Sequence, residues 1–206
     1  MVERAPRPPV EWGVATRCRR GEATSGDLGV VTLLPEGALV AGIDGVGHGR
    51  EAASAARRAA DVVCARPSAD LVGLVRRCHA ALIGTRGAAI SLAFLSVAEG
   101  GMTWIGVGSV EGRMLSGDPS ARRPKGSLPL HGGVPGHELP ALSTATIEVR
   151  PGDVLVLATD GIAPAFADAL DISGSTQAIS ERILADHWKP PDDALVIAVR
   201  YLGARR

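Results

Sequence analysis

Four aspartates stand beside strand-like apolar runs: Asp27, Asp44, Asp160 and Asp193. Asp44 and Asp160 close matching stretches. Pro35-Glu36-Gly37 leads through residues 38–43 to Asp44-Gly45, and Pro151-Gly152-Asp153 leads through 154–159 to Asp160-Gly161. Each copy reads as a turn, a buried strand and an Asp-Gly pair. Asp27 precedes the apolar run 28–34, and Asp193 precedes 194–201 just after Pro190-Pro191. Carboxylates gathered in one cleft raise one another's pKa, which is unfavourable unless cations sit among them. The donors are all oxygen, with no His or Cys at ligand spacing, so Mn2+ or Mg2+ fits better than zinc. Two such ions roughly 3.5–4 Å apart can share a bridging hydroxide and hold a phosphoryl group for in-line attack. The chemistry this spells is two-metal hydrolysis of a phosphate ester. A plainer reading stands beside it: Asp-Gly is a common turn pair, with Asp27, Asp153 and Asp192 as turn residues and only one pair functional.

Positioning these carboxylates requires strands with tight connections. Strands are expected at 10–16, 28–34, 38–43, 88–97, 102–107 and 110–115. A hairpin of 144–149 and 154–159 would deliver Asp160, and 194–201 would be the last strand. The segment Asp44-Gly45-Val46-Gly47-His48-Gly49 passes into an alanine-rich helix over 49–65. A second helix starts with Ser68 as N-cap and ends near Gly84. A short helix follows Gly161, and a longer one covers 176–187. The Gly/Pro-rich stretch 116–143 is long enough to be functional; it holds a brief strand at 127–131 and carries Arg122, Arg123 and Lys125 toward the cleft. Cys64, Cys78 and His79 read as packing residues. The layout is α+β, two mostly antiparallel sheets face to face with helices outside.

Composition narrows the function further. The 206 residues suit one domain, 10–206, after a flexible lead at 1–9. Apolar residues reach 46% but aromatics only 3%, so the core must be built of Ala, Val, Leu and Ile. With 22 basic and 22 acidic residues the net charge is zero, which argues against nucleic acid and acidic membranes as partners. Three cysteines without C-x-x-C spacing fit neither a disulfide framework nor a zinc knuckle. With no secretory signal and no run near the ~18 apolar residues of a membrane span, a cytoplasmic location is expected.

Asp44-Gly45-Val46-Gly47-His48-Gly49 resembles the D-G-x-G-H-G signature of the SpoIIE-like branch of the metal-dependent protein phosphatases, the PPM or type 2C class. Ser25-Gly26-Asp27, Thr159-Asp160-Gly161 and Asp192-Asp193-Ala194 resemble the other signatures of that class, in the same order. Gly106-Val107-Gly108-Ser109-Val110 and Gly133-Val134-Pro135-Gly136, followed by Leu139-Pro140, are most similar to the RsbX subgroup. The resemblance implies a four-layer αββα sandwich, a dinuclear Mn2+ or Mg2+ centre, and hydrolysis of phosphoserine or phosphothreonine on STAS-domain stressosome proteins. It implies Asp44 bridging both ions, the Gly45 carbonyl on one, Asp160 and Asp193 on the other, and Asp27 either a direct ligand or one acting through water. Arg20 stands roughly where relatives grip phosphate, with Arg17 and Arg19 as rivals. His48 lies four residues after Asp44, so it either orients the loop, caps the next helix or serves as a general acid. A binding module without catalysis, or a phosphatase of small metabolites, are the competing functions.

Overall fold

The structure is a computed structural model that describes residues 8–98, 100–118, 121, 124–167 and 170–203. Its central strands are β3 (Gly37–Gly45) and β4 (Ala88–Ser96), buried along nearly their whole length. Continuous rather than alternating burial means that both faces of a strand are covered. On β3, Leu39, Ala41 and Ile43 enter the core beneath the helices, while Ala38 and Val40 enter the core between the sheets.

The first sheet runs β2 (Asp27–Leu34), β3, β4, β5 (Gly101–Val107) and β8 (Leu130–His131), with β9 (Ala145–Glu148) also on β5. The second runs β1 (Val10–Arg17), β11 (Ala194–Tyr201), β10 (Val154–Ala158), β6 (Glu111–Leu115) and β7 (Gly126–Ser127). Helices α1 (Gly49–Ala65) and α2 (Leu71–Leu82) cover the first sheet. Helix α3 (Thr176–His187) and a 3-10 turn at Pro164–Ala167 cover the second. The result is the expected αββα sandwich.

Alanine sets the spacing of these layers. Ala52, Ala55, Ala56, Ala59 and Ala60 line the buried face of α1, and their short side chains bring helix backbone onto strand backbone. A Cβ on Gly45 would lie 2.1 Å from the Ala52 carbonyl oxygen, so only glycine fits there.

Four expectations are corrected. The strands β9 and β10 form no hairpin: β9 pairs with β5, while β10 lies between β11 and β6. The fully apolar β10 needs both neighbours and both faces covered, whereas β9 alternates in burial and suits an edge. The Pro151-Gly152-Asp153 turn therefore carries the chain between sheets. At α2 the N-cap is Asp70, whose carboxylate accepts from the Gly73 N–H at 2.9 Å. Ser68 instead shapes the preceding turn, accepting from the Asp70 N–H at 3.1 Å. The single brief strand expected at 127–131 is two short strands, β7 and β8, one in each sheet. Cys78 is buried in the first core as expected, but Cys64 is exposed.

Candidate functional site

Asp27 and Asp44 are register partners across β2 and β3, which sets two acidic residues side by side at one end of the first sheet. Thr159, at the end of β10 in the opposite sheet, donates its hydroxyl to Asp27 Oδ2 at 2.7 Å and accepts from the Leu195 N–H at 2.8 Å. Ser109, in the turn after β5, donates to Asp44 Oδ2 at 3.0 Å. The Asp160-Gly161 turn packs on the segment ahead of β11: a Cβ on Gly161 would lie 1.7 Å from the Asp193 carbonyl oxygen. The Lys189 N–H donates to the Gly161 carbonyl at 2.8 Å. Gly26 marks where the pieces meet, since a Cβ there would stand 2.9 Å from Ala52 Cβ, 3.3 Å from Asp193 Oδ2 and 3.4 Å from the Gly45 oxygen.

The electrostatics follow from this convergence. Burial, and then the charges of Asp44, Asp193 and Asp160, push the Asp27 carboxyl up to about 8 against the opposing bond from Thr159. Asp44 is pushed up to about 7 by burial, then by Asp160 and Asp192, against the bond from Ser109. Asp160 is raised by burial and by Asp192, partly offset by Lys189. Without positive charge among them, the Asp27 and Asp44 carboxyls hold protons near neutrality.

Asp27, Asp44, Gly45 and Asp160 thus lie together. Asp193 lies near them but is otherwise engaged: its Oδ1 accepts from the Arg19 N–H and its Oδ2 from the Gly26 N–H, both at 2.8 Å, and the residue is buried. The carboxylate that bears on Asp44 and Asp160 from this segment is that of Asp192. The doubled Asp192-Asp193 was visible in the sequence; the structure adds that Asp192 bears on Asp44 and Asp160 while Asp193 bears on Asp27. Sequence reasoning also missed the parts of Thr159 and Ser109 as donors to the aspartates; the Thr before Asp160-Gly161 was the available signal.

The basic residues divide. Arg20 is exposed on the loop before β2, whereas Arg17 stacks over Trp188 at 4.7 Å and Arg19 contributes its backbone to Asp193. Arg122 and Arg123 lie outside the described residues. Lys125 pairs with Asp153, whose Oδ1 also accepts from the Gly117 N–H at 2.8 Å. Asp153 precedes β10 and Asp160 follows it, so five strand residues, roughly 17 Å, separate Lys125 from the aspartates. Gly117 and Lys125 therefore lie at the far end of β10 from the aspartates. The later part of 116–143 is near the cleft, because the Pro135 carbonyl accepts from Ala88 N–H, and the Gly87 carbonyl from Val46 N–H in the Asp44 loop. His48 occupies the N-cap position of α1 without capping it; its Nδ1 lies 2.9 Å from Glu22 Oε1.

Among the described residues no group of three or more His, Cys, Asp or Glu side chains is gathered tightly enough to hold a metal ion as it stands. The carboxylates act on one another across the cluster: Asp44, Asp193 and Asp160 on Asp27, Asp160 and Asp192 on Asp44, and Asp192 on Asp160. The donor set, all carboxylate and carbonyl oxygen with excess negative charge, fits hard divalent cations.

Fold and site together define a metal-dependent protein phosphatase of the PPM, or type 2C, class. The stage II sporulation protein E (SpoIIE) family model matches residues 35–203, and the chain belongs to that family. A solved structure from work on the bacterial stressosome as a modular system adapted to control secondary messenger signalling is 29% identical. It superposes with a TM-score of 0.85 over 93% of this chain and 99% of that one. RsbX in complex with magnesium is similar at 21% identity and a TM-score of 0.77, with 96% of each chain covered. The catalytic domain of the serine/threonine phosphatase PstP with two manganese ions is similar at 15% identity and a TM-score of 0.67, covering 94% of this chain and 98% of that one. Curated protein sequences give no match. Among the described residues no helix is long and apolar enough to cross a membrane.

Proposed function

We propose that this chain removes phosphate from phosphoserine or phosphothreonine on STAS-domain stressosome scaffold proteins, using two Mn2+ or Mg2+ ions. The observation that carries the reading is the meeting of Asp27, Asp44, Asp160 and Asp192 at the joined ends of both sheets, where two of these carboxyls are pushed up to about 8 and about 7. Such a cluster is costly to an apo protein and favourable once cations replace the protons. Asp44, in charge contact with both Asp27 and Asp160, would serve the ions together with the Gly45 carbonyl, Asp27, Asp160 and Asp192 as oxygen donors. When bound, the ions supply Lewis-acid activation of water and neutralise the phosphoryl oxygens.

The protein supplies the frame. Thr159 fixes the Asp27 carboxyl and Ser109 that of Asp44, so each presents its other oxygen in a set direction. Asp193 holds the 19–26 loop against the cleft through two backbone N–H groups. The stressosome substrate is supported by the likeness to a stressosome structure and to RsbX. The test is dephosphorylation of a phosphorylated STAS-domain scaffold protein and of an aryl phosphate, with Mn2+ and with chelator. Metal-dependent turnover of both is expected. Turnover of the aryl phosphate alone would remove the scaffold as substrate, and tight Mn2+ binding without turnover would make the chain a binding module.

A further inference from the structure

A second feature lies on the outer side of β2. A pocket of about 380 Å³ opens between α1 and the 24–27 segment, lined by Thr24, Ser25, Asp27, Arg50, Ser54 and Arg57. Arg50, Ser54 and Arg57 are spaced i, i+4, i+7, so they share one face of α1. Ser54 occupies the helical position from which a carboxylate could pair with both arginines. Neither guanidinium is in an ion pair among the described residues, Asp61 one turn beyond Arg57 included. The hydroxyls of Thr24 and Ser54 are likewise without a protein partner among the described residues. The one acidic residue of the lining, Asp27, has its Oδ2 bonded to Thr159 in the opposite sheet.

We propose that this pocket is a second anion site, which receives a carboxylate or phosphate of the substrate protein close to its phosphorylated residue. Two uncompensated guanidiniums and free hydroxyls match an oxyanion, to which arginine forms paired charge-assisted bonds. Asp27 belongs at once to the pocket wall and to the acidic cluster, so an occupant of the pocket would be bound beside that cluster. The identity of the carrier rests on the phosphatase reading above; the pocket's affinity for anions does not.

The experiment compares wild type with the Arg50→Ala, Arg57→Ala double variant, both side chains being exposed. Substrates are an aryl phosphate and phosphoserine peptides flanked by neutral residues, by glutamates, or by a second phosphoserine. The variant should lose about tenfold in kcat/KM on the acidic peptides and nothing on the neutral peptide or the aryl phosphate. Loss confined to the glutamate or to the doubly phosphorylated peptide identifies the anion. Equal rates on all substrates, or an equal loss on all including the aryl phosphate, overturn the proposal. If wild type hydrolyses none of them, the phosphatase reading fails by itself. The pocket is then judged by binding of a labelled glutamate-rich peptide, with about tenfold weaker binding to the variant expected and unchanged affinity overturning it.

Discussion

Thr159 and Asp27 are 132 residues apart, yet the threonine hydroxyl lies 2.7 Å from the aspartate's Oδ2. The same hydroxyl accepts from the buried Leu195 N–H. One side chain therefore joins the two sheets at the cleft and fixes a carboxyl in it. Thr159→Val keeps the shape but leaves Leu195 N–H and Asp27 without a partner. It should cost about 1–3 kcal/mol of stability and lower turnover at least tenfold, read by chemical denaturation and by an aryl phosphate assay. Unchanged stability would mean that the latch is dispensable.

Asp192 and Asp193 are expected to separate by function. Asp192→Asn should reduce turnover and Mn2+ affinity by about a hundredfold or more with little change in melting temperature, because its charge faces Asp44 and Asp160. Asp193→Ala removes both acceptors of the 19–26 loop and should lower the melting temperature, at about 1–3 kcal/mol for buried partners left unpaired. Calorimetry and thermal melts of both variants check this; the reverse pattern would return the ligand role to Asp193.

Asp44→Asn should abolish turnover by orders of magnitude while the protein stays folded. Removing one of several repelling charges relieves the cluster, so the variant should melt no lower than wild type in chelator. Wild type should gain more from added Mn2+ than the variant does. An active Asp44→Asn protein would refute the assignment of the centre.

The acidic cluster gives stability a defined pH dependence. Asp27 and Asp44 stand at about 8 and about 7 when folded, against an ordinary value of 3.8. Between these values the two carboxyls bind more protons in the folded protein than in the unfolded chain, so their contribution to stability is greatest below about 4 and is lost as pH rises toward 8. In chelator the melting temperature should fall from pH 5 to pH 8. Millimolar Mg2+ should shrink that fall, and Asp44→Asn should flatten it. A profile indifferent to both cation and mutation would contradict the cluster.

Gly161 tests the packing behind the site. A Cβ there would meet the Asp193 carbonyl oxygen at 1.7 Å, which cannot be relieved without moving backbone. Gly161→Ala should therefore displace the Asp160 turn from the Asp192 segment, lowering both melting temperature and Mn2+ affinity. Wild-type values for both would show that these segments are looser than the packing requires.

Periodicity was enough to place α1 at Gly49–Ala65, α3 at Thr176–His187 and β11 at Ala194–Tyr201, because each has a long run of one pattern between clear breakers. The repeated turn, apolar run and Asp-Gly likewise marked Asp44 and Asp160 as a related pair, since a continuously apolar strand can only end at the edge of a core. Pairing was different. That β9 joins β5 while β10 goes to the other sheet follows from which strands find both faces and both edges covered, a property of the assembled sandwich. The same holds at the site. Residue types alone named the acidic residues, but which of two adjacent aspartates faces its fellows, and which threonine braces them, depended on the direction a turn takes between sheets. A side chain's aim is set by backbone geometry and by the partners that reach it, and those partners come from residues far away in the chain.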